Sequence, residues 1–127
     1  MVILNKPNNA VTDELASDKA LSKQCQQLLA QEESLFDQDY ECHAIVGESK
    51  DKSIGKPFLL HHPEHTKGVL LIHGLMAAPF EVKLWAESLF AQGYNVYAPR
   101  LSGHGTSVFD LAARNKLEWI QSAERGY

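Results

Sequence analysis

The chain has 127 residues, 44% of them apolar, and a formal net charge of −4; that supports one domain around one core and leaves no room for two. With 16 acidic against 12 basic residues and no basic stripe, no nucleic-acid partner is expected. No segment approaches the apolar length of a membrane span, and the run at Met1–Leu4 is too short for a signal peptide, so a cytoplasmic location is expected. Cys25 and Cys42 form neither a CxxC pair nor a disulfide framework, and Cys25 reads as a small buried hydrophobe.

The first predicted element is a helix over 12–36. Thr12 is placed to cap it, Asp13 and Glu14 suit its positive end, and Leu21, Cys25, Leu28, Leu29, Leu35 and Phe36 recur at helical spacing. Its polar face mixes acids with few lysines, which points to packing on its own domain rather than on a membrane surface. The chain is therefore divided into a helical extension, 1–38, and a core, 39–127.

Residues 41–47 and 57–62 read as short strands of a hairpin joined by the polar stretch 48–56. Val69–Ile72 is apolar throughout, as in a central strand covered on both faces. Pro79 suits a first helical turn, Phe80, Leu84, Trp85 and Leu89 mark the apolar side of the helix that follows, and Gly93 closes it. Tyr94–Ala98 is the next strand, ended by Pro99. A crossover of about twenty residues makes this a parallel βαβ unit. Asn115 and Glu118 form the signature of a capping box, with Trp119, Ile120, Ala123 and Tyr127 continuing a helical pattern.

Three groups of residues invite chemistry. "HHPEH", 61–65, satisfies a zinc-peptidase string, but that string works only on a helix and Pro63 breaks one, so no metal site is expected. Ser102 and Ser107 flank His104 with Asp110 nearby, yet loop histidines more often serve as hydrogen-bonded structure. His73-Gly74 ends a strand just before a helix, where α/β proteins place binding groups and where helix N–H groups are unpaired.

Three stretches, "VLLIHGLMAAP" (69–79), "WAESLFAQGYNVYAPRLSGHGTS" (85–107) and "LEWIQSAERGY" (117–127), resemble the first half of an α/β-hydrolase. The likeness is to bacterial carboxylesterases and monoacylglycerol-lipase-like serine hydrolases, and it covers roughly residues 66–127. It implies an α/β fold class: the N-terminal half of an α/β-hydrolase, with hairpin strands and then a parallel βαβ unit, preceded by an extra helix. By the same resemblance the Leu75 backbone N–H donates to an oxyanion hole. His73 and Gly74 shape that loop, and Gly103, His104 and Gly105 form a second shaping loop, so that His104 is not the catalytic histidine. Met76 is a candidate substrate contact, and Leu75, Met76, Phe109 and Trp119 are candidates for an apolar acyl site.

The resemblance implies a small ester or an acylglycerol-like molecule as substrate and no cofactor. The nucleophile elbow G-x-S-x-G is absent, and it is expected just after the helix that reaches Tyr127. Without serine, acid and catalytic histidine, these residues alone are not expected to hydrolyse esters. The expectation is thus the N-terminal part of a serine hydrolase. The alternatives are a non-catalytic assembly module that self-associates through an exposed sheet edge, and a chain completed by a separate polypeptide carrying the nucleophile.

Overall fold

The computed structural model describes the backbone of residues 2–5 and 11–127, and side chains from residue 22 onward. In chain order the elements are β1 (Val2–Asn5), α1 (Val11–His43), α2 (Lys52–Gly55), β2 (Phe58–Leu60), β3 (Lys67–Leu70), a 3₁₀ turn (Pro79–Val82), α3 (Lys83–Ala91), β4 (Tyr94–Ala98), α4 (Val108–Ala113) and α5 (Lys116–Glu124). They build a mixed α/β structure around one four-stranded sheet of order β1-β3-β4-β2. β3 and β4 are parallel, with Val69 opposite Val96, as their long crossover requires. β2 runs antiparallel on β4 and β1 antiparallel on β3.

The period of two along the strands separates the faces. Val69, Leu71, Val96 and Ala98 form a buried cluster with Val82 and Ala86 of the crossover, and Leu89 and Phe90 pack at its margin. Ala86 is wholly buried, and its small side chain lets α3 approach the sheet closely. Here the structure corrects the sequence reading. Phe80, Leu84 and Trp85 are 50%, 79% and 71% exposed, because the helical face that meets the sheet runs through 82, 86 and 89–90, about a quarter turn away.

Leu70 and Tyr97 point to the opposite face. There the segment just after α5 closes over them, so tightly that a Cβ on Gly126 would lie 2.2 Å from the Tyr97 ring and 3.2 Å from Leu70 Cδ1. α1 reaches the same side through Glu32, whose carboxylate accepts from Arg125 Nε at 2.6 Å and Nη2 at 3.1 Å.

The expected hairpin at 41–47 does not form. Residues 41–43 are the last turn of α1, and Ile45–Ser49 is a tight turn in which Ile45 N–H donates to Ser49 Oγ at 2.7 Å. The helix is held this far by contacts to the body, among them Tyr40 Oη donating to the Lys50 carbonyl at 2.7 Å. Such contacts outweigh the strand preference of Ile45 and Val46. The boundary drawn at 38/39 therefore falls inside a helix, and the helix begins at Val11, so Thr12 lies within its first turn. Of the expected stripe, Phe36 is buried, Leu35 is 40% exposed, and two acids, Glu32 and Asp39, share the inward face. Leu21 lies outside the described side chains.

Expectation and structure coincide for the parallel β3-α3-β4 unit, for Gly93 at φ +90° behind α3, and for the capping box. Asn115 accepts from the Leu117 and Glu118 N–H groups while the Glu118 carboxylate accepts from Asn115 N–H at 2.9 Å. α5 itself stops at Glu124, before Tyr127.

Candidate functional site

Two loops leave the carboxyl ends of the parallel strands. The first, after β3, turns between Gly74 and Ala77, with Ala77 N–H donating to the Gly74 carbonyl at 3.1 Å. Its third residue, Met76, has φ +64°, a value that type II turns assign to glycine and that strains a side-chain-bearing residue. Gly74 N–H is taken by Glu81 Oε2 at 2.9 Å. Among the described residues no hydrogen bond engages the N–H of Leu75 or of Met76, and both residues are about 70% exposed. The turn thus leaves two donors free.

His73 fixes the root of this loop. Its Nε2 accepts the Leu101 N–H at 3.2 Å and its Nδ1 lies 3.0 Å from the Gly74 carbonyl, which defines a neutral ring protonated at Nδ1. Burial disfavours the cation and lowers its pKa to about 4. The ring therefore ties the β3 loop to the β4 loop and stays neutral near pH 7.

The second loop, Gly103-His104-Gly105-Thr106, follows β4. Gly103 and Gly105 have φ +80° and +76°. His104 is 2% exposed, its Nδ1 meets the Ser102 carbonyl at 3.3 Å, and its ring lies edge-on to His73 at 4.9 Å and to Trp119 at 5.6 Å. Burial lowers its pKa as well. Trp119 Nε1 donates to the same Ser102 carbonyl at 3.0 Å.

A buried ionic cluster holds this loop from behind. The Arg100 side chain, 6% exposed, donates from Nε to the His104 carbonyl at 2.7 Å and from Nη1 to Asp39 of α1. Its guanidinium stacks over the Phe36 ring at 5.3 Å. Asp110 accepts from Thr106 Oγ1 at 2.6 Å and Arg114 Nε at 2.9 Å. Burial raises the Asp110 carboxyl, but these hydrogen bonds outweigh it and hold the group below the usual carboxylate range. Arg100 and Asp39 carry no mark in the sequence, since no local pattern joins residues 61 positions apart, and Phe36 reads there only as part of a helical stripe. The Pro99-Arg100 pair at a strand end is the only local sign.

Between the two loops lies a cavity of about 610 Å³. Leu75, Met76, Phe80, Val108 and Leu111 make its apolar lining, Gly103–Ser107 its floor, and Glu48–Lys50 with Ile54 its far side. Of the candidate acyl-site residues, Leu75 and Met76 line it. Phe109 is 75% exposed and is not part of the lining, and Trp119 packs on His104 instead.

The other candidates are used differently. Ser107 caps α4 by accepting Asp110 N–H at 3.2 Å, and Ser102 Oγ lies 3.2 Å from Ser122 Oγ. Among the described residues no serine hydroxyl bonds a histidine ring nitrogen, so Ser102, Ser107, His104 and Asp110 do not assemble a nucleophile. His61–His65 makes a turn, with Glu64 N–H donating to His62 Nδ1 at 3.3 Å, and among the described residues no metal-binding group of three side chains occurs. Nor is any described helix long and apolar enough to cross a membrane.

Comparison with known proteins gives partial likenesses. No family model matches the chain. Over 60 residues it is 42% identical to a thermostable monoacylglycerol lipase of Bacillus sp. (strain H-257), a stretch covering 47% of this chain and 24% of that protein. Over 72 residues it is 31% identical to a carboxylesterase of Bacillus subtilis (strain 168), covering 57% of this chain and 28% of that one. A solved structure of a metagenome-derived lipolytic enzyme shares 36% identity over 46% of this chain and 24% of its own, with a TM-score of 0.45. The chain spans about a quarter of the length of the curated relatives it matches. Over about half of its own length it is related to α/β-hydrolase esterases and lipases.

Proposed function

We propose that this chain supplies the oxyanion loop and part of the acyl pocket of a serine ester hydrolase whose substrate is a small ester of the acylglycerol kind. One observation carries the reading: the Leu75–Met76 turn presents two unpaired N–H groups at the carboxyl end of a parallel strand, on the rim of an apolar cavity. As an ester carbonyl becomes tetrahedral its oxygen gains negative charge. Donors already fixed in place stabilise that charge without reorganising. The Leu75 N–H is the donor assigned here, with Gly74 held by Glu81 and His73 anchoring the turn from behind. The serine that attacks, and the acid and histidine that activate it, come from outside the residues described.

The test uses a carboxylate as a stand-in for the oxyanion. The ¹⁵N-labelled chain is titrated with sodium octanoate, and amide shifts are expected at Leu75 and Met76 together with residues of the cavity wall. Leu75→Pro removes the donor, and proline is a normal second residue of such a turn, so the variant should keep its fold and bind octanoate about tenfold more weakly, the worth of one charge-assisted hydrogen bond. Shifts confined to other surfaces, or unchanged binding by Leu75→Pro, would overturn the assignment.

One observation favours the assembly-module reading: Phe80, Leu84 and Trp85 lie exposed along one side of the 3₁₀ turn and α3. Sedimentation of the chain beside Trp85→Lys decides it, since a self-associating module would fall apart in the variant.

A further inference from the structure

The cavity between the two loops carries an unbalanced charge. Of the described residues that line it, Glu48 and Glu81 are acids and Lys50 alone is a lysine or arginine. Glu81 is fastened to the Leu75–Met76 turn: its Oε2 accepts the Gly74 N–H at 2.9 Å, and a Cβ on Gly74 would lie 3.5 Å and 4.0 Å from its two carboxylate oxygens. Both oxygens therefore lie against the turn. Among the described residues no cationic side chain forms an ion pair with Glu81, and Lys83, two positions on, sits over the Phe80 ring at 5.9 Å instead. The charge is felt beyond its own hydrogen bond. Burial lowers the pKa of His73 behind the loop, and the Glu81 carboxylate acts on that ring in the opposite sense.

Under the esterase reading this charge meets two anions of different kinds. Hydrolysis adds water at the acyl carbon: the bond to the alcohol oxygen breaks, the alcohol takes a proton, and the acid formed loses its own proton to solvent and remains a carboxylate. While the tetrahedral oxyanion exists, the base that has taken a proton beside it is cationic, so the pair as a whole has no net charge. The carboxylate product keeps a full negative charge after that proton has gone. A fixed negative group at the loop thus opposes the product more than it opposes the oxyanion and its partner.

We propose that Glu81 is a specificity-determining residue of this site: its carboxylate fastens the turn through Gly74 and repels an anionic acyl group, so that the site holds neutral esters in preference to the carboxylates they yield. The inference rests on the esterase reading above and adds to it the charge class of the ligand. Because Glu81 is exposed, water and salt screen it, and the repulsion amounts to about threefold in affinity at low salt.

The experiment compares two ligands with the same alkyl tail, octanoate and the neutral octanamide, on the ¹⁵N-labelled full chain and on Glu81→Gln. The glutamine carbonyl can still accept the Gly74 N–H, so the variant removes the charge and keeps the tether; the Gly74 amide shift reports whether it does. Glu81→Gln should bind octanoate about threefold more tightly and octanamide as the native chain does. Raising sodium chloride from about 20 mM to about 500 mM should tighten octanoate relative to octanamide on the native chain, and should leave that ratio unchanged on the variant.

An octanoate affinity untouched by Glu81→Gln overturns the proposal, as does an equal gain for both ligands, which would report a rearranged loop rather than a removed charge. Should the variant lose the Gly74 bond, the salt series on the native chain decides alone, and a ratio that does not move with salt refutes the assignment. If neither ligand shifts the Leu75 and Met76 amides, the esterase reading fails and this inference with it. Binding at those amides without charge discrimination removes only the role of Glu81.

Discussion

Gly105 sits where the α2 backbone and the Phe36 ring of α1 close on the site, and its replacement by alanine measures what that close packing is worth. With φ at +76°, any L-residue there adopts the left-handed region, at a cost of roughly 1 kcal/mol. The added Cβ would also fall 2.8 Å from Gly55 Cα and 3.4 Å from the Phe36 ring. The ring can shift by a few tenths of an ångström, but the Gly55 backbone cannot. Overpacking of this kind costs about 2 kcal/mol, for a total near 3 kcal/mol. Gly47→Ala is the control, because Gly47 has φ +84° and nothing within 4 Å of its Cβ position. It should lose only the conformational part, about 1 kcal/mol. Urea unfolding followed by tryptophan fluorescence measures both. In thermal melts the losses correspond to a Tm lowered by about 12 °C for Gly105→Ala and about 4 °C for Gly47→Ala. If the two variants lie within about 0.5 kcal/mol of each other, the Gly55 backbone does not confine the loop and the close packing at Gly105 is refuted.

The histidines give a pH dependence of definite sign. His73 has its pKa lowered from 6.5 to about 4 in the fold. As pH falls the unfolded chain takes up the proton first, so this contribution is complete above about pH 6.5 and is lost toward pH 4, about 3 kcal/mol in all. His104 is shifted the same way; a urea midpoint unchanged between pH 7.5 and pH 4.5 would contradict both. Asp39→Ala leaves the buried Arg100 guanidinium without its α1 partner and should destabilise by about 2 kcal/mol, less than for a fully buried pair because Asp39 is partly exposed. Chemical denaturation checks it, and the amide of His104 should shift, since Arg100 also holds the His104 carbonyl. Asn115→Ala removes the acceptor that caps α5, for a loss of about 1 kcal/mol. Hydrogen exchange should show that loss first in the opening turn of α5.

How much of this was legible in the sequence follows the range of the interactions involved. The β3-α3-β4 unit, the turn after His73-Gly74 and the Asn115–Glu118 capping box are local. Each is encoded within about 25 consecutive residues by an apolar run, a punctuating Gly or Pro, and a cap. The side of α3 that meets the sheet is not the one hydrophobicity marks: hydrophobicity alone favours Leu84 and Trp85, whereas close approach to a strand favours Ala86. Residues 41–47 have strand composition but lie in the reach of a helix whose last turns are fastened to the body by Tyr40 and Asp39. Such tertiary contacts override local preference. β1 is not legible for a related reason: four residues carry too little periodicity to be distinguished from a frayed terminus, and a strand is defined by its partner.

The long-range contacts also explain why α1 belongs to the site rather than beside it. Its inward face carries one aromatic, Phe36, and two acids, Glu32 and Asp39, and each meets a residue C-terminal to β4 or the loop it supports: Gly105, Arg125 and Arg100. Phe36 supplies the apolar wall on which Gly105 and Gly55 close. Asp39 neutralises the arginine whose Nε fixes the His104 carbonyl, and Glu32 clamps the segment lying over Tyr97. Without Asp39 the buried Arg100 guanidinium would keep as counter-charge the Asp110 carboxylate at 3.7 Å, an incomplete compensation, so the loop and the helix are coupled energetically. A helix present only to shield apolar surface would meet the sheet with leucines, yet Leu35 is turned partly to solvent while the acids face inward. The geometry points instead to a brace that sets where Gly103–Thr106 stands opposite the Leu75–Met76 turn, and hence the width of the cavity between them.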